Sequence, residues 1–343
     1  MPPQVIVYDP TLTDEQSRLR GVGRYLQILK ENFPDWTFTN DVLGIEKEAI
    51  FINPFFNPLF SPLITKKITK WQIIVIHDLI PLKYPAHFPA GLKGRFNVLA
   101  NKKILPLYDL VITDSEVSKV DIKARLKIPE TNIKVIYPCL PKIFTTAQKK
   151  KTLSNYQLPN TKYFIYVGDA TWNKNLVNLA KAIKLADITC YFVGGVFGQM
   201  NQLNKIENAW QKELFEFFTM AKGDPRFVFP GFVADHELVN LYKNAQANIL
   251  VSKDEGFGFS FIEASSQEVP SLLSDIAVLH EISQDAALFV DEKRPEEIAV
   301  KIKALLENED LRQTLGQEAK ERSRFFASAQ FKNALDKLIK SIL

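Results

Sequence analysis

The most informative stretch of this 343-residue chain is NILVSKDEGFGFSFIEASSQ, residues 248–267. A short apolar strand leads into a glycine-spaced turn and then into a helix. Gly256 and Gly258 let the backbone approach a ligand closely, and the N–H groups where the helix begins favour a phosphate or a sugar hydroxyl. Glu255 and Glu263 should lie apart along an elongated ligand rather than share one proton. The alternative is a plain strand-to-helix turn whose acid favours the helix dipole.

The pattern of short apolar strands separated by amphipathic helices runs through both halves of the chain. Strand candidates include QVIVYD, AIFIN, WQIIVIHD and DLVITD in the first half, and YFIYVG, ITCYFVGG and RFVFPG in the second. Nearly continuous apolar strands between helices are typical of parallel sheets covered on both faces. The fold class expected is therefore α/β, with a doubly wound parallel sheet in each half.

The domain boundary is expected at the polar, lysine-rich stretch TTAQKKKTLSNYQLPN, residues 145–160, which is typical of a linker. It divides a first domain, residues 1–150, from a second, residues 151–325. From Pro295 onward the pattern is wholly helical. The last helix, residues 326–343, is expected to pack back toward the N-terminal domain.

Composition excludes several classes of protein. Hydrophobic residues make up 46% of the chain, which excludes disorder. Cys139 and Cys190 form no CxxC motif, and no two of the four histidines stand close enough in sequence for a zinc-binding helix. We therefore predict no metal site. The N-terminus does not resemble a signal peptide and no apolar run could span a bilayer, so we expect a cytoplasmic protein.

The first half of the chain is basic, with 21 Lys and Arg against 14 Asp and Glu in residues 1–150. No nucleic-acid-binding motif accompanies this charge, so we predict no nucleic-acid partner. Anionic lipid headgroups or a diphosphate-linked substrate fit, as does a solvated face without a partner. The apolar stretch 55–64, followed by Lys66, Lys67 and Lys70, suits a lipid interface, although a loop packed on the domain is the alternative. The expected contact is a peripheral one with an anionic membrane through residues 55–103.

A family resemblance follows from the spacing E-G-F-G-x-x-x-x-E, which runs from Glu255 to Glu263. It resembles the donor-site motif of the family-four retaining glycosyltransferases. Four other segments resemble family segments and follow one another along the chain as they do in the family: VIHDLIP, TDSEVSKVDI, FIYVGDATWNKNL and FVFPGFVADHELVNLY. The resemblance covers roughly residues 5–290 and implies the GT-B fold, in which two Rossmann-like domains face each other across a cleft.

The resemblance also implies roles for individual residues. Lys174 matches the lysine at the donor diphosphate, Glu263 the residue that binds the donor ribose, and Glu255 the residue near the donor sugar. His77 matches a histidine that family members have near the reacting sugar. The catalytic residues that the resemblance implies are therefore His77, Lys174 and Glu255. The remaining donor-binding positions are Gly21, Gly23, Arg24, Gly168, Gly256, Phe257, Gly258 and Phe259. Asp114, Ser115 and Ser118 can equally be helix caps and are not included.

One position departs from the family pattern. Many members carry arginine where this chain has Asp169, and an acid there would repel a diphosphate. Either Asp169 points away, or Arg20 or Arg24 supplies the missing cation, or donor binding is impaired.

The resemblance implies transfer of a hexosyl unit from a nucleotide sugar, with GDP-mannose favoured, to a glycan or lipid-linked acceptor in polysaccharide biosynthesis. No cofactor is expected, and no two aspartates stand two positions apart, so the Asp-x-Asp metal motif of the GT-A class is absent. A GT-B nucleotide-sugar epimerase and a non-catalytic sugar-nucleotide-binding protein remain as alternatives.

Overall fold

The computed structural model describes residues 3–13, 21–146, 161–202 and 209–343. The chain divides into two compact units, the first formed by Met1–Cys139 with Ser328–Leu343 and the second by Leu140–Ala327. These divisions differ from the expected boundaries at 150 and 325. Most of the lysine-rich stretch, residues 147–160, lies outside the described residues, as does Arg20.

The first unit contains a six-stranded, all-parallel sheet in the order β2-β1-β3-β4-β5-β6. Its strands are β1 (Val5–Tyr8), β2 (Thr37–Thr39), β3 (Ile50–Asn53), β4 (Trp71–Val75), β5 (Leu110–Thr113) and β6 (Ile133–Val135). Its helices are α1 (Gly21–Asn32), α2 (Ile80–Lys83), α3 (Gly91–Ile104), α4 (Glu116–Leu126) and the last helix of the chain, Ser328–Ile342.

The last helix shares an aromatic cluster with α1. Phe331 makes edge-to-face contacts with Tyr25 and Phe33, whose ring centroids lie 6.1 and 6.3 Å away. Ser328 hydrogen-bonds the side chain of Asn32 at the end of α1. These contacts explain why residues 328–343 belong to the first unit although the chain reaches them from the second.

The second unit contains another six-stranded, all-parallel sheet, in the order β12-β11-β10-β7-β8-β9. Its strands are β7 (Tyr163–Val167), β8 (Thr189–Val193), β9 (Phe227–Gly231), β10 (Asn248–Leu250), β11 (Ser271–Ser274) and β12 (Leu288–Val290). Its helices are α5 (Lys142–Thr145), α6 (Leu176–Ala186), α7 (Lys212–Ala221), α8 (Asp235–Asn244), α9 (Phe259–Ser266), α10 (Ala277–Ser283), α11 (Pro295–Glu307) and α12 (Glu309–Ser323), and the last helix of the chain is α13.

The core of the second unit is rich in phenylalanine. Phe192 from β8 lies at its centre and contacts Phe197, Phe217 and Phe227, with ring centroids 5.0 to 5.9 Å apart. Such offset and edge-to-face pairs add to the stabilisation that burial itself provides. Helix α6 packs on the same cluster through Leu179 and other buried residues. A dense core of this kind gives the sheet edge a rigid support.

The strand order determines where a ligand would lie. In a doubly wound sheet, the crevice forms at the carboxyl ends of the two strands where the direction of winding reverses. In the second unit, β8 and β9 continue from β7 on one side while β10, β11 and β12 extend on the other, so the reversal lies between β7 and β10. In the first unit it lies between β1 and β3.

Strand β2 and helix α7 are among the elements that the sequence pattern did not predict. Strand β2 is the short, polar edge strand Thr-Phe-Thr, and it has no apolar run that would indicate a strand. Helix α7 buries Leu214, Phe217 and Phe218 on one face. Among the described residues, no helix is long and apolar enough to cross a membrane.

Candidate functional site

The centre of the candidate site is an ion pair between Lys174 and Glu255. The Lys174 Nζ lies 2.7 and 2.8 Å from the two Glu255 carboxylate oxygens. Lys174 follows β7 and Glu255 follows β10, so the two adjacent strands bring them together where the winding reverses. The Ser252 hydroxyl also donates to Glu255 Oε1 at 2.6 Å. The pair is largely shielded from water, with 18% of the lysine side chain and 8% of the glutamate side chain exposed.

The backbone around Lys174 is held by asparagines. Lys174 ends the 3₁₀ turn Trp172–Lys174, and Asn175 then adopts a left-handed conformation with φ of 58° before α6 begins. The Asn175 amide donates to the carbonyls of Val251 and Glu292 at 2.9 and 2.7 Å. Asn173 donates to the carbonyl of Asp254 at 3.0 Å. The loops that carry Lys174 and Glu255 are therefore joined at buried hydrogen bonds.

The glycine turn leads directly into α9. Gly258 has φ of +113°, a conformation that side chains disfavour, and an added Cβ would lie 3.1 Å from Leu279 Cδ2. No side chain caps the N-terminus of α9, and the buried Ser260 hydroxyl in its first turn has no hydrogen-bond partner among the described residues. An uncapped helix N-terminus with an available hydroxyl is suited to binding an anion.

Glu263 lies inside α9 and is almost completely buried. Its Oε2 accepts a hydrogen bond from the Tyr242 hydroxyl of α8 at 3.1 Å. The two glutamates of the motif thus have different partners: Glu255 pairs with a lysine, and Glu263 pairs with a phenol.

The loop after β7 contains Gly168 and the unusual Asp169. The Tyr166 hydroxyl donates to the Asp169 carbonyl at 2.6 Å, and an added Cβ on Gly168 would lie 3.0 Å from that hydroxyl. Burial raises the pKa of Tyr166 well above its usual value, and the charges of Glu255 and Asp169 add to this effect. The Asp169 carboxylate accepts from the Ala170 N–H at 2.8 Å and is solvent-exposed.

Phe257 and Phe259 flank the turn in different environments. Phe257 is buried and makes edge-to-face contacts with Phe259 and Phe326, at centroid distances of 5.2 and 5.5 Å. Phe259 is the first residue of α9 and is partly exposed. Phe257 therefore holds the turn against Phe326 of the same unit. Because this ring is buried, the backbone of the turn is the part that can face a ligand.

In the first unit, His77 is paired with Asp114. The residues follow the neighbouring strands β4 and β5, and His77 Nδ1 lies 2.6 Å from Asp114 Oδ2. The other ring nitrogen, Nε2, lies 3.1 Å from the Pro54 carbonyl. Both partners are acceptors, so the doubly protonated ring satisfies both. Burial lowers the pKa of His77, but the charge and hydrogen bond of Asp114 outweigh burial and raise the pKa above 6.5.

We expect Asp114→Asn to lower the pKa of His77, because it removes the negative charge that favours the imidazolium. In the wild type, the raised pKa of His77 stabilises the folded protein. This stabilisation is complete at a pH below the pKa of the unfolded chain, about 6.5, and it is lost as the pH rises through the pKa of the folded protein. The variant should therefore be less stable than the wild type at about pH 6, with a smaller difference at about pH 8. An NMR titration of the His77 ring and urea unfolding at both pH values measure this. An unchanged titration midpoint would contradict the assignment.

The glycines Gly21 and Gly23 lie within the first turn of α1 in the described residues. The expected glycine-rich loop is thus helical at these two positions, and an added Cβ on Gly21 would meet nothing within 4 Å. Arg24 donates from Nη1 to Gln27 one turn later, at 2.9 Å. Ser115 caps α4 by accepting from the Ser118 N–H, and the Ser118 hydroxyl donates to the His77 carbonyl at 3.0 Å.

The apolar stretch 55–64 mainly packs on the first unit. Ile64 is buried in the core cluster, and Phe56 and Leu63 pack against it, whereas Phe60 is exposed. Lys67 and Lys70 pair with Asp109 and Glu48 at 2.6 and 3.6 Å. Three of the six large apolar side chains of this stretch, Phe56, Leu63 and Ile64, thus belong to the core, and the lipid interface stays a prediction.

Sequence reasoning missed three residues of these sites. The sequence leaves Asp114 open as a helix cap, yet it pairs with His77. Ser252 and Asn175 carry no motif of their own, although each stands beside a motif residue in sequence or space. A polar residue directly after a strand, adjacent to a strand that carries a motif residue, is the signal that could have identified Asp114.

Among the described residues, no group of three or more His, Cys, Asp or Glu side chains is arranged to hold a metal ion. Both cysteines are buried free thiols. Burial raises the pKa of Cys139 to about 12, so its thiol stays protonated at neutral pH. Lysine and backbone N–H groups are the features of the second-unit site that can bind an anion.

Comparison with known proteins places this geometry in a family. The family model described as glycosyl transferases group 1 matches residues 148–322, just over half of the chain. An O-antigen chain mannosyltransferase, RfbU, of Salmonella typhimurium is 28% identical over 67% of this chain and 60% of its own length. O-antigen chain mannosyltransferase B of Escherichia coli is 23% identical over 70% of this chain and 62% of its own length. The matched region thus spans about three fifths of these relatives.

Solved structures show the same fold. A glycosyltransferase from Rickettsia africae superposes with a TM-score of 0.64 at 16% identity, covering 99% of this chain and 98% of that protein. With two parallel six-stranded sheets, this likeness confirms the α/β GT-B fold class that the sequence implied. Since the family model covers the whole segment that carries Lys174, Glu255 and Glu263, this chain belongs to the group 1 glycosyl transferases.

Proposed function

We propose that this protein is a retaining, metal-independent hexosyltransferase that uses a nucleotide sugar and acts in polysaccharide biosynthesis. The donor diphosphate would bind where β7 and β10 end, at Lys174 and the N-terminus of α9. The observation that carries the proposal is the Lys174–Glu255 pair, a fixed cation beside an uncapped helix end. Such a combination stabilises the negative charge that develops on a departing nucleotide.

The Lys174–Glu255 pair also indicates how the donor is accommodated. Both carboxylate oxygens of Glu255 balance the lysine charge. A diphosphate would provide a second anion, so Lys174 would bridge the glutamate and the phosphates. The N–H groups that begin α9 and the Ser260 hydroxyl would bind the same group from the other loop.

The contacts of Glu255 favour an electrostatic role over a covalent one. Lys174 contacts both of its oxygens, and Ser252 donates to Oε1. A carboxylate engaged in this way is a poor nucleophile, because attack would require the lysine and the hydroxyl to release its oxygens. We therefore assign deprotonation of the acceptor hydroxyl to a phosphate oxygen of the donor, and retention to attack on the same face of the sugar.

Asp169 is compatible with donor binding in this arrangement. Its carboxylate accepts from the next residue's N–H and is exposed, so solvent screens its charge. Lys174 then supplies the side-chain cation at the diphosphate without a neighbouring arginine. Glu263 would bind the ribose hydroxyls, with the Tyr242 hydroxyl fixing its carboxylate.

The proposed sugar is mannose, carried by GDP, and the proposed acceptor is a glycan or lipid-linked saccharide. The names of two relatives, both O-antigen chain mannosyltransferases, support this choice. We also propose His77, which Asp114 holds, as a catalytic residue, and Gly21, Gly23 and Arg24 as donor-binding residues.

The experiment is a transfer assay with radiolabelled GDP-mannose and a bacterial lipid-linked saccharide fraction, in the presence of EDTA. Retention predicts that an α-specific mannosidase releases the transferred label and that a β-specific enzyme does not. EDTA should leave the rate unchanged. Release by the β-specific enzyme, or loss of activity in EDTA that magnesium restores, would contradict the proposal. Conversion of the donor to a second nucleotide sugar would instead identify an epimerase.

A further inference from the structure

Helix α3, Gly91–Ile104, turns three large apolar side chains to solvent and its asparagines to the protein. Its buried residues are Gly94, Asn97 and Asn101, and none of them is hydrophobic. Its large apolar side chains point to solvent instead: Leu92 is 87% exposed, Phe96 72% and Leu99 68%. An ordinary surface helix places its apolar stripe on the core, so the orientation of α3 requires an explanation.

Hydrogen bonds from the two asparagines fix this orientation. Asn97 Nδ2 donates to the Leu59 carbonyl at 2.8 Å, and Asn101 Nδ2 donates to the Phe60 carbonyl at 2.7 Å. The close approach of the helix to the loop at 58–60 leaves Gly94 with Leu59 nearby. Rotating α3 to bury its leucines would break these hydrogen bonds. The loss of each bond would leave a buried amide and the carbonyl that it binds without a partner. The apolar face is therefore held outward by the fold.

The exposed residues form one continuous stripe. Leu92, Phe96, Leu99 and Lys103 follow one another at intervals of four, three and four residues, which places them on one side of a helix. Phe60, exposed in the loop that the asparagines bind, is a fifth large side chain of this region. Apolar side chains clustered in this way on a surface are typical of an interaction site.

Charge identifies the partner. Helix α3 contains four basic residues and no acidic one, and all four are exposed. At 3.6 residues per turn, Lys93 lies to one side of the stripe and Arg95 and Lys102 lie to the other. None of the four pairs with a carboxylate of the described residues within salt-bridge distance. Apolar side chains flanked by cations match a lipid surface. There the apolar side chains enter the boundary between headgroups and acyl chains, and the cations contact anionic headgroups.

We infer that α3 is a membrane-surface anchor, which lies in the plane of an anionic bilayer with Leu92, Phe96 and Leu99 in its interface. Fourteen residues span about 21 Å as a helix, less than the roughly 30 Å of a hydrocarbon core, so α3 lies on the membrane rather than crossing it. This inference stands on the geometry of the first unit and is independent of the proposed donor chemistry.

The test is co-sedimentation of the full chain with vesicles of phosphatidylcholine alone or equimolar phosphatidylcholine and phosphatidylglycerol. We expect the wild type to bind the anionic vesicles, and salt to weaken that binding. The triple variant Leu92→Gln, Phe96→Gln, Leu99→Gln should bind them at least about tenfold more weakly, because its side chains no longer bury apolar surface in the interface. The matched control changes exposed apolar residues of the second unit, Leu185→Gln, Phe232→Gln and Val300→Gln, and should bind like the wild type.

Three results would overturn the inference. The triple variant could bind as tightly as the wild type, or the wild type could stay in the supernatant with both vesicle types. Sedimentation velocity without lipid provides the third: a wild-type dimer that the triple variant abolishes would make α3 a self-association face. All surface positions chosen are exposed, and circular dichroism checks that each variant retains its helical content.

Discussion

Lys174→Met is expected to reduce kcat for sugar transfer by about a hundredfold to a thousandfold, comparable to the loss of one oxyanion-stabilising donor. The lysine is the cation that the proposal places against the diphosphate, and methionine fills similar space without charge. Its matched control is Lys253→Met. Lys253 is about as buried and also pairs with a glutamate, Glu213, at 3.0 Å, but it lies outside the proposed donor contacts.

The stability of the same variants separates charge from structure. Removing Lys174 leaves the Glu255 carboxylate buried with the Ser252 hydroxyl as its remaining side-chain donor among the described residues, so the single variant should also be less stable than the wild type. Adding Glu255→Gln should restore much of the stability but none of the activity. If Lys174→Met and Lys253→Met lowered kcat equally, the assignment of Lys174 to the diphosphate would be wrong.

Asn175→Ala is expected to lower the free energy of unfolding of the second unit by about 3 kcal/mol. Two buried carbonyls, those of Val251 and Glu292, lose their amide donor, and alanine must adopt the left-handed conformation that asparagine tolerates. Kcat should fall as well, because this amide joins the loop of Lys174 to the end of β10. Urea unfolding followed by intrinsic fluorescence measures the loss.

The control for this prediction is Asn178→Ala. The Asn178 amide donates to the same carbonyl of Glu292, at 3.2 Å, but it lies in the regular helix α6 and is only partly buried. Its loss should cost less than about 1 kcal/mol. Equal losses for the two variants would show that the junction at Asn175 does not hold the two loops together.

The fold was predictable because the strands are short and apolar and their order follows from alternation with helices. The glycine turn was predictable for a similar reason: the left-handed conformation at Gly258 is one that side chains disfavour. The polar edge strand β2 was missed, since its three residues carry no hydrophobic run. Local pattern thus predicts the buried apolar strands, and it fails for a strand that backbone pairing alone holds in the sheet.

The site was predictable residue by residue but not as an arrangement. Lys174 and Glu255 are 81 positions apart in the sequence, and only the adjacency of β7 and β10 makes them a pair. The same holds for His77 and Asp114, which β4 and β5 bring together. The outward orientation of the apolar face of α3 was not predictable, because helical spacing does not state which face the asparagines bind to the loop.

The proposed function depends most directly on diphosphate binding at the ends of β7 and β10. The decisive measurement is a calorimetric titration of the wild type, Lys174→Met and Lys253→Met with GDP, UDP and ADP, without added metal. We expect one nucleotide, GDP, to bind the wild type and the Lys253 variant with similar affinity, and binding to the Lys174 variant to weaken at least about tenfold. Equal affinity for all three proteins, or no binding of any nucleotide to the wild type, would contradict the proposed donor site.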